Sequence, residues 1–562
     1  MENKDSKELK ILKIVMFILP FIFGIYYEFT AFLTCAILCT YLIYLISKRK
    51  SVKLFINVVV ISIIIFIISY LLVTVYSIDK GIAFVGFLRI LAILPFLVIL
   101  MQFEKEQLNE VFSVIPYSGG SMVLICIGAL LFPNLKESFY MADRLGGFFQ
   151  YSNTFALFLL IGVIVIGYKK EIGFKEQGIL SVLLVGILMT GSRSVFVVTV
   201  ISLIVLFITN KDLRKFLMTL SIILFVFSII FVAVTGSYQS FGRFLTISSE
   251  SSTLLGRLLY YKDGIRLFMN KPLGLGYMGY YYMEPLIQTG EYSIKYIHND
   301  FLQIALDAGI IAAIAFIISI ISSLSSKGLN KMHKHVIIVI AGLSIFDFNL
   351  QFLIVFLILI MALDYRQASS KVIFIKKRRK LTISYGILGV TAILSLYFFI
   401  AFFAEYKESY KIAAELYPGN TIAKTKLLLS ADSKEKARNL ADDILERNKM
   451  SYLSYNAKAL VAAMDGKFED MVFYKKKTLN IAKYSINEYE DYIKLLARAI
   501  NYYERVGDDT SREKYVGYIK EVPNMLRNIE EQTDELAFKV KDKPNFELSE
   551  QTKKYIEFLG GE

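Results

Sequence analysis

Uninterrupted apolar runs of about 20 residues recur along this chain. A run of that length can satisfy its backbone polar groups inside hydrocarbon only as a helix or in a closed barrel. About thirteen such runs lie near 11–28, 29–47, 54–76, 81–101, 108–132, 153–168, 178–190, 194–209, 215–235, 301–323, 335–347, 349–364 and 381–403. Mean hydropathy is +0.53 over 562 residues, a level that soluble domains of this size do not reach. The first run leads through Tyr26-Tyr27-Glu28 straight into the second with no small-residue cleavage site, so it reads as a span and not as a removable signal. The expected fold is all-α: a polytopic membrane part over 1–403 and a second helical unit over 404–562.

The net charge of +14 raises nucleic acid as a partner, and its distribution argues against one. Basic residues cluster at Lys48-Arg49-Lys50, Lys169-Lys170, Lys211 to Lys215, Lys327 to Lys334 and Lys376 to Lys380. Each cluster follows an even-numbered span, which is the positive-inside pattern. The N-terminus is then cytoplasmic. An odd number of spans places the long connection at about 236–300, and everything after Phe403, outside the cytoplasm. Cys35, Cys39 and Cys126 all lie in apolar runs, without disulfide or metal-ligand spacing.

Beyond about residue 404 the composition becomes charged, with apolar residues at helical spacing. Helices are predicted at Asn456–Met464, Phe468–Lys483 and Tyr489–Val506, punctuated by Pro418-Gly419-Asn420, Asp465-Gly466 and Gly507-Asp508-Asp509. The segment AKALVAAMDGKFEDMVFYKKKTL resembles a tetratricopeptide-like unit with a period of roughly 34 residues. The plainer alternative is a helical bundle without a groove. A terminal helix is expected beyond Pro544.

Chemistry-bearing residues gather in three external connections. Arg193 stands in TGSRSVFVV, at a tight turn where hydrocarbon ends. An arginine at that depth costs roughly 2.5–3.5 kcal/mol on insertion scales, and its forked donors suit phosphate; the alternative is an ordinary headgroup anchor. Arg144 precedes Gly146-Gly147 and a span opened by Ser152-Asn153, where Asn153 can cap the helix and Arg144 can pair with Asp143 or Glu137. Arg257 and Arg266 flank Tyr260-Tyr261-Lys262-Asp263 on a surface helix. Arg257 and Tyr261 share one face, and Leu258, Leu259, Ile265 and Phe268 can bury the other. Gly274, Gly276 and Gly279 spell G-x-G-x-x-G, but no strand or βαβ context supports a nucleotide loop.

His298-Asn299-Asp300 directly precedes the run beginning at Phe301. Asn299 or Asp300 is a natural N-cap, so His298 sits at the positive end of a membrane helix. That end attracts phosphate and favours a neutral imidazole able to accept a proton; the plain alternative is a histidine satisfied by backbone. Tyr277, Tyr280, Tyr281, Tyr282, Tyr292 and Tyr296 crowd the same connection, as sugar-stacking faces or as an interfacial belt.

Four motifs, RLGGFFQYSNTFA, GSRSVF, GR with an aromatic four residues on followed by KPLGLG, and HNDFLQIALDAGIIA, occur in this order. In them, over about Arg144 to Gly309, the chain resembles the O-antigen ligase and O-antigen polymerase superfamily (Wzy/WaaL type). Tyr261 stands where tryptophan is usual, and QYSN replaces a commoner histidine-proline-asparagine run. The resemblance implies a metal-independent, inverting glycosyltransferase in a bacterial cytoplasmic membrane, needing no cofactor. Its donor would be a glycan on undecaprenyl pyrophosphate, and its acceptor a hydroxyl on a glycan, lipid or protein. It implies catalytic roles for His298, Arg257 and Arg193, and substrate contacts from Arg144, Asn153, Arg266, Tyr261 and Asn299. The helical tail would engage a protein partner. Polymerase, ligase and protein O-oligosaccharyltransferase stay open, with a transporter or channel as the rival from another class. Against that rival stand the few charges within the spans and no evident inverted repeat.

Overall fold

The computed structural model describes residues 7–141, 144–218, 252–540 and 543–560. Each apolar run within the described residues holds a helix; the run near 215–235 lies almost wholly outside them, as do the first part of the long connection and Asp143. Glu28–Arg49, Lys80–Met101, Lys105–Ala129, Asp300–Leu324 and Arg378–Tyr406 are long and apolar enough to cross a membrane. Val58–Val73, Ser152–Gly167, Arg193–Thr209 and Leu353–Ala362 are shorter apolar helices. The chain is a multi-pass membrane protein.

Helices Ser152–Gly167 and Leu353–Ala362 are buried on nearly every face, so they form the centre of the bundle. Apolar residues surround both, as a helix without a solvent or lipid face requires. Arg378–Tyr406 is the opposite case: it packs on Glu28–Arg49 and leaves Ile387, Val390 and Ile393 exposed.

Connections between spans sort into two sets. In one, strands Val52–Ile56 and Lys371–Ile375 pair antiparallel, Arg49 meets Glu8, Arg366 meets Glu104, and Asn210 holds the carbonyls of Gly167 and Lys169. In the other, Tyr27 meets Gln150, Lys295 meets Glu28, and His298 meets Asp347. Among the described residues, consecutive spans alternate between the sets, and the basic clusters fall in the first.

The run read as 335–347 ends sooner than its hydropathy suggests. Its helix spans Lys331–Ser344, and the next begins at Leu353, so Asp347 lies in a connection.

After Glu408 the chain is again helical, from Tyr410–Leu416 to Glu550–Gly560. Ile486–Val506 buries Tyr489, Tyr492, Ile493, Leu496, Ala499 and Ile500, the spacing of one helical face. Asn420, Ser433 and Asp508 cap their helices with side-chain oxygens. Tyr452–Met464 and Phe468–Ile481 have 13 and 14 residues, but Ile486–Val506 and Asp509–Gln532 have 21 and 24, so the expected period of roughly 34 residues does not recur.

This unit is packed against the second set of connections. Thr421 donates to Asp79 at 2.5 Å, Tyr417 donates to the Gly81 carbonyl at 2.9 Å, and the Asp534 amide donates to the Thr289 carbonyl at 2.8 Å.

Candidate functional site

Helix Ser252–Asn270 carries Arg257, Tyr261 and Arg266 along the second set of connections. Its apolar residues divide differently from the expected single buried face: Leu259 and Leu267 are buried, while Leu258 and Ile265 are exposed. The chain then turns through Pro272 and runs beside helix Asp300–Leu324, which is broken at Gly309 (φ 83°, ψ 177°). At the break, backbone pairs with backbone. The Leu275 amide donates to the Leu306 carbonyl at 2.7 Å, Gly276 to Asp307 at 2.9 Å, and Ile310 to Pro272 at 2.9 Å. A β-carbon on Gly274 would stand 2.6 Å from the Gly309 nitrogen, and one on Gly309 would stand 2.4 Å from the Leu273 oxygen. Gly274 of KPLGLG therefore serves a close approach of two backbones, while Gly276 makes room for the side chains of Ser77 and Ala83.

Above the break, Asn299 caps the helix by accepting from the Leu302 amide at 2.9 Å. His298, immediately before it, takes the left-handed conformation (φ 53°). That turn aims the imidazole at Asp347, with Nδ1 and Oδ1 3.1 Å apart. Nε2 has no hydrogen-bond partner among the described residues.

Asp347, 4% exposed, is the hub. Tyr151 donates its hydroxyl at 2.8 Å and Asn153 its amide at 2.6 Å, while an Arg257 nitrogen stands 3.8 Å away. Burial alone would raise the carboxyl's pKa. The hydrogen bond to His298, the charges of His298 and Arg257, and the Asn153 amide outweigh burial and hold it below the ordinary carboxylate value. Asn153 also accepts from Arg144 at 2.8 Å, so one amide joins a guanidinium to the hub. Arg144 donates its Nε to the Thr190 carbonyl at 2.9 Å, which binds the Thr190–Ser194 turn and its Arg193 to the same place.

The expected site residues are thus not all equivalent. Arg144, Asn153, Arg257 and His298 converge around Asp347, and Tyr261 donates to the His298 carbonyl at 2.7 Å. Asn153 does not cap its helix as expected: Tyr151 occupies the N-cap of Ser152–Gly167, and the Asn153 amide is drawn to Asp347 instead. Arg193 opens helix Arg193–Thr209 beside this group. Arg266 stands apart, 57% exposed and 3.9 Å from Asp263 on its own helix. Sequence reasoning passed over Asp347 because it reads as the end of an apolar run. The available signal was an acid flanked by phenylalanines, a costly residue at membrane depth.

Residues 178–317 match the family described as O-Antigen ligase. The chain carries an O-antigen ligase domain. No curated protein matches the chain at a significant level. The O-antigen ligase domain includes Arg193, Arg257, Tyr261 and His298, while Arg144, Asn153 and Asp347 join the site from outside the matched stretch.

Proposed function

We propose that the protein transfers a glycan from undecaprenyl pyrophosphate to an acceptor hydroxyl at the outer face of a bacterial cytoplasmic membrane, in assembly of a cell-surface polysaccharide. The observation that carries this reading is the convergence of Arg257 and His298 on one buried carboxylate, to which Asn153 joins Arg144.

Arg257 lies 3.8 Å from Asp347, too far for a hydrogen bond, so its fork is available to a diphosphate. Arg193, at a helix start on the turn held by Arg144, supplies a second cation. Asp347 fixes the His298 ring through Nδ1 and leaves Nε2 for the acceptor. Nε2 takes the hydroxyl proton as the acceptor oxygen bonds to the anomeric carbon. The bond from that carbon to the pyrophosphate oxygen breaks on the opposite face, with inversion. The departing oxygen's charge is then met by guanidinium groups already in place. Asn299 and Tyr261 border the base, and Arg266 lies along the same helix as Arg257 at a more exposed position suited to an outer sugar or headgroup.

The test uses purified full-length protein with a defined polyprenyl-pyrophosphate oligosaccharide and candidate glycan, lipid and protein acceptors, sizing the products. His298→Ala and Arg257→Ala are each expected to lower transfer by about a thousandfold while membrane insertion persists. Wild-type product from both variants overturns the assignment.

A further inference from the structure

His298 and Asp347 belong to different segments, and their contact depends on how those segments are held. The Asp347 segment is fixed on both sides. On one, the Tyr261 hydroxyl lies 3.2 Å from the Ile345 carbonyl and 2.7 Å from the His298 carbonyl. On the other, the buried Asp300 carboxylate accepts from the Leu350 amide at 2.9 Å. Asp347 sits between Ile345 and Leu350. Asp300 is the second residue after His298, and Tyr261 is one helical turn from Arg257. The chain just before His298 is also held, where the Ile297 amide donates to the Gln303 side chain at 3.0 Å. A left-handed histidine persists only where its surroundings over-determine it, and these bonds surround it.

We infer that Tyr261 and Asp300 are positioning residues: two stitches, one on each side of Asp347, that hold its carboxylate against the His298 ring. The inference rests on the reading of His298 as the base. It assigns Tyr261 a hydroxyl-dependent task, whereas a sugar-stacking tyrosine works through its ring face. Asp300 never meets substrate; it is 0% exposed and works through the backbone of Leu350.

Tyr261→Phe keeps the ring and removes the donor. Asp300→Leu removes the acceptor, and Asp300→Asn keeps one acceptor oxygen. Full-length variants are compared with wild type and Asp347→Asn in two measurements. The first is transfer kinetics against pH. Tyr261→Phe and Asp300→Leu are expected to lower kcat roughly tenfold or more, with donor KM within about twofold and a displaced acid limb, while Asp300→Asn recovers most of kcat. The second needs no turnover: carbethoxylation of His298 by diethyl pyrocarbonate against pH, mapped by mass spectrometry. Its pH profile in Tyr261→Phe and Asp300→Leu is expected to move toward that of Asp347→Asn, with thermal unfolding confirming a folded protein. A His298 profile unchanged from wild type in both variants overturns the inference whether or not transfer is observed. So does equal loss in Asp300→Asn and Asp300→Leu, or a change in KM alone. Failure of wild-type transfer with every acceptor, alongside shifted profiles, overturns the proposed reaction and leaves the stitches standing.

Discussion

Asp347 collects a tyrosine hydroxyl, an asparagine amide, an imidazole and a guanidinium around a carboxylate that burial alone would neutralise. Because these partners hold it ionised below the ordinary carboxylate range, its contribution to folding is present above the unfolded pKa of about 4 and fades only as pH falls through the lower folded value. Asp347→Asn keeps the shape and removes the charge, so transfer is expected to fall roughly a hundredfold or more with little loss of expressed protein, read by product sizing. Glu284 behaves oppositely. Burial in helix Gly279–Ile287 raises its pKa to about 8, the charge of Asp263 adds to this, and a backbone hydrogen bond at Ile294 opposes it. The folded protein keeps that proton while the unfolded chain loses it near pH 4.5, so stability declines as pH rises from 4.5 to about 8 and is level above. Glu284→Gln is expected to match wild type at pH 4 and exceed it at pH 8 by on the order of a few kcal/mol, measured by thermal unfolding in detergent.

At the scale of elements, the break in Asp300–Leu324 and the loop from Pro272 to Gly276 make one device. A membrane helix that loses its hydrogen bonds at Gly309 must satisfy the freed groups locally, and the neighbouring backbone does so. Gly309 has a backbone conformation reserved for glycine and a carbonyl at 2.4 Å from any added β-carbon. Gly309→Ala is therefore expected to cost roughly 1–3 kcal/mol from strain alone, with the clash adding to it. A lower thermal midpoint with intact membrane insertion is the expected result; an unchanged midpoint contradicts the role. The DAGI and KPLGLG motifs were visible in the chain, but their pairing was not, because it joins residues about 30 positions apart through backbone groups that every residue possesses.

For the whole molecule, the proposed topology puts the first set of connections in the cytoplasm and the second set, with the helical tail, outside it. The three native cysteines are buried, so introduced cysteines report cleanly. Glu435→Cys, on the tail, is expected to react with a membrane-impermeant maleimide in intact cells, and Lys376→Cys only after permeabilisation. The reverse pattern inverts the topology. The tail's contacts with Asp79, Gly81 and Thr289 make it a fixed neighbour of the connections that build the site.

By itself the sequence determined the class of molecule: run length and charge asymmetry follow from hydrocarbon thickness and desolvation cost, which act on local composition. The glycine, arginine and histidine motifs that pointed to Arg144, Arg257 and His298 between the apolar runs were also legible. Only the tertiary structure decided that Asn153 serves Asp347 and not a helix end, that Arg266 stands away from the cluster, and that Asp347 is the hub. Those outcomes depend on side chains meeting across 194 positions for Asn153 and 49 for His298, and a long-range contact leaves no periodicity or local propensity to read.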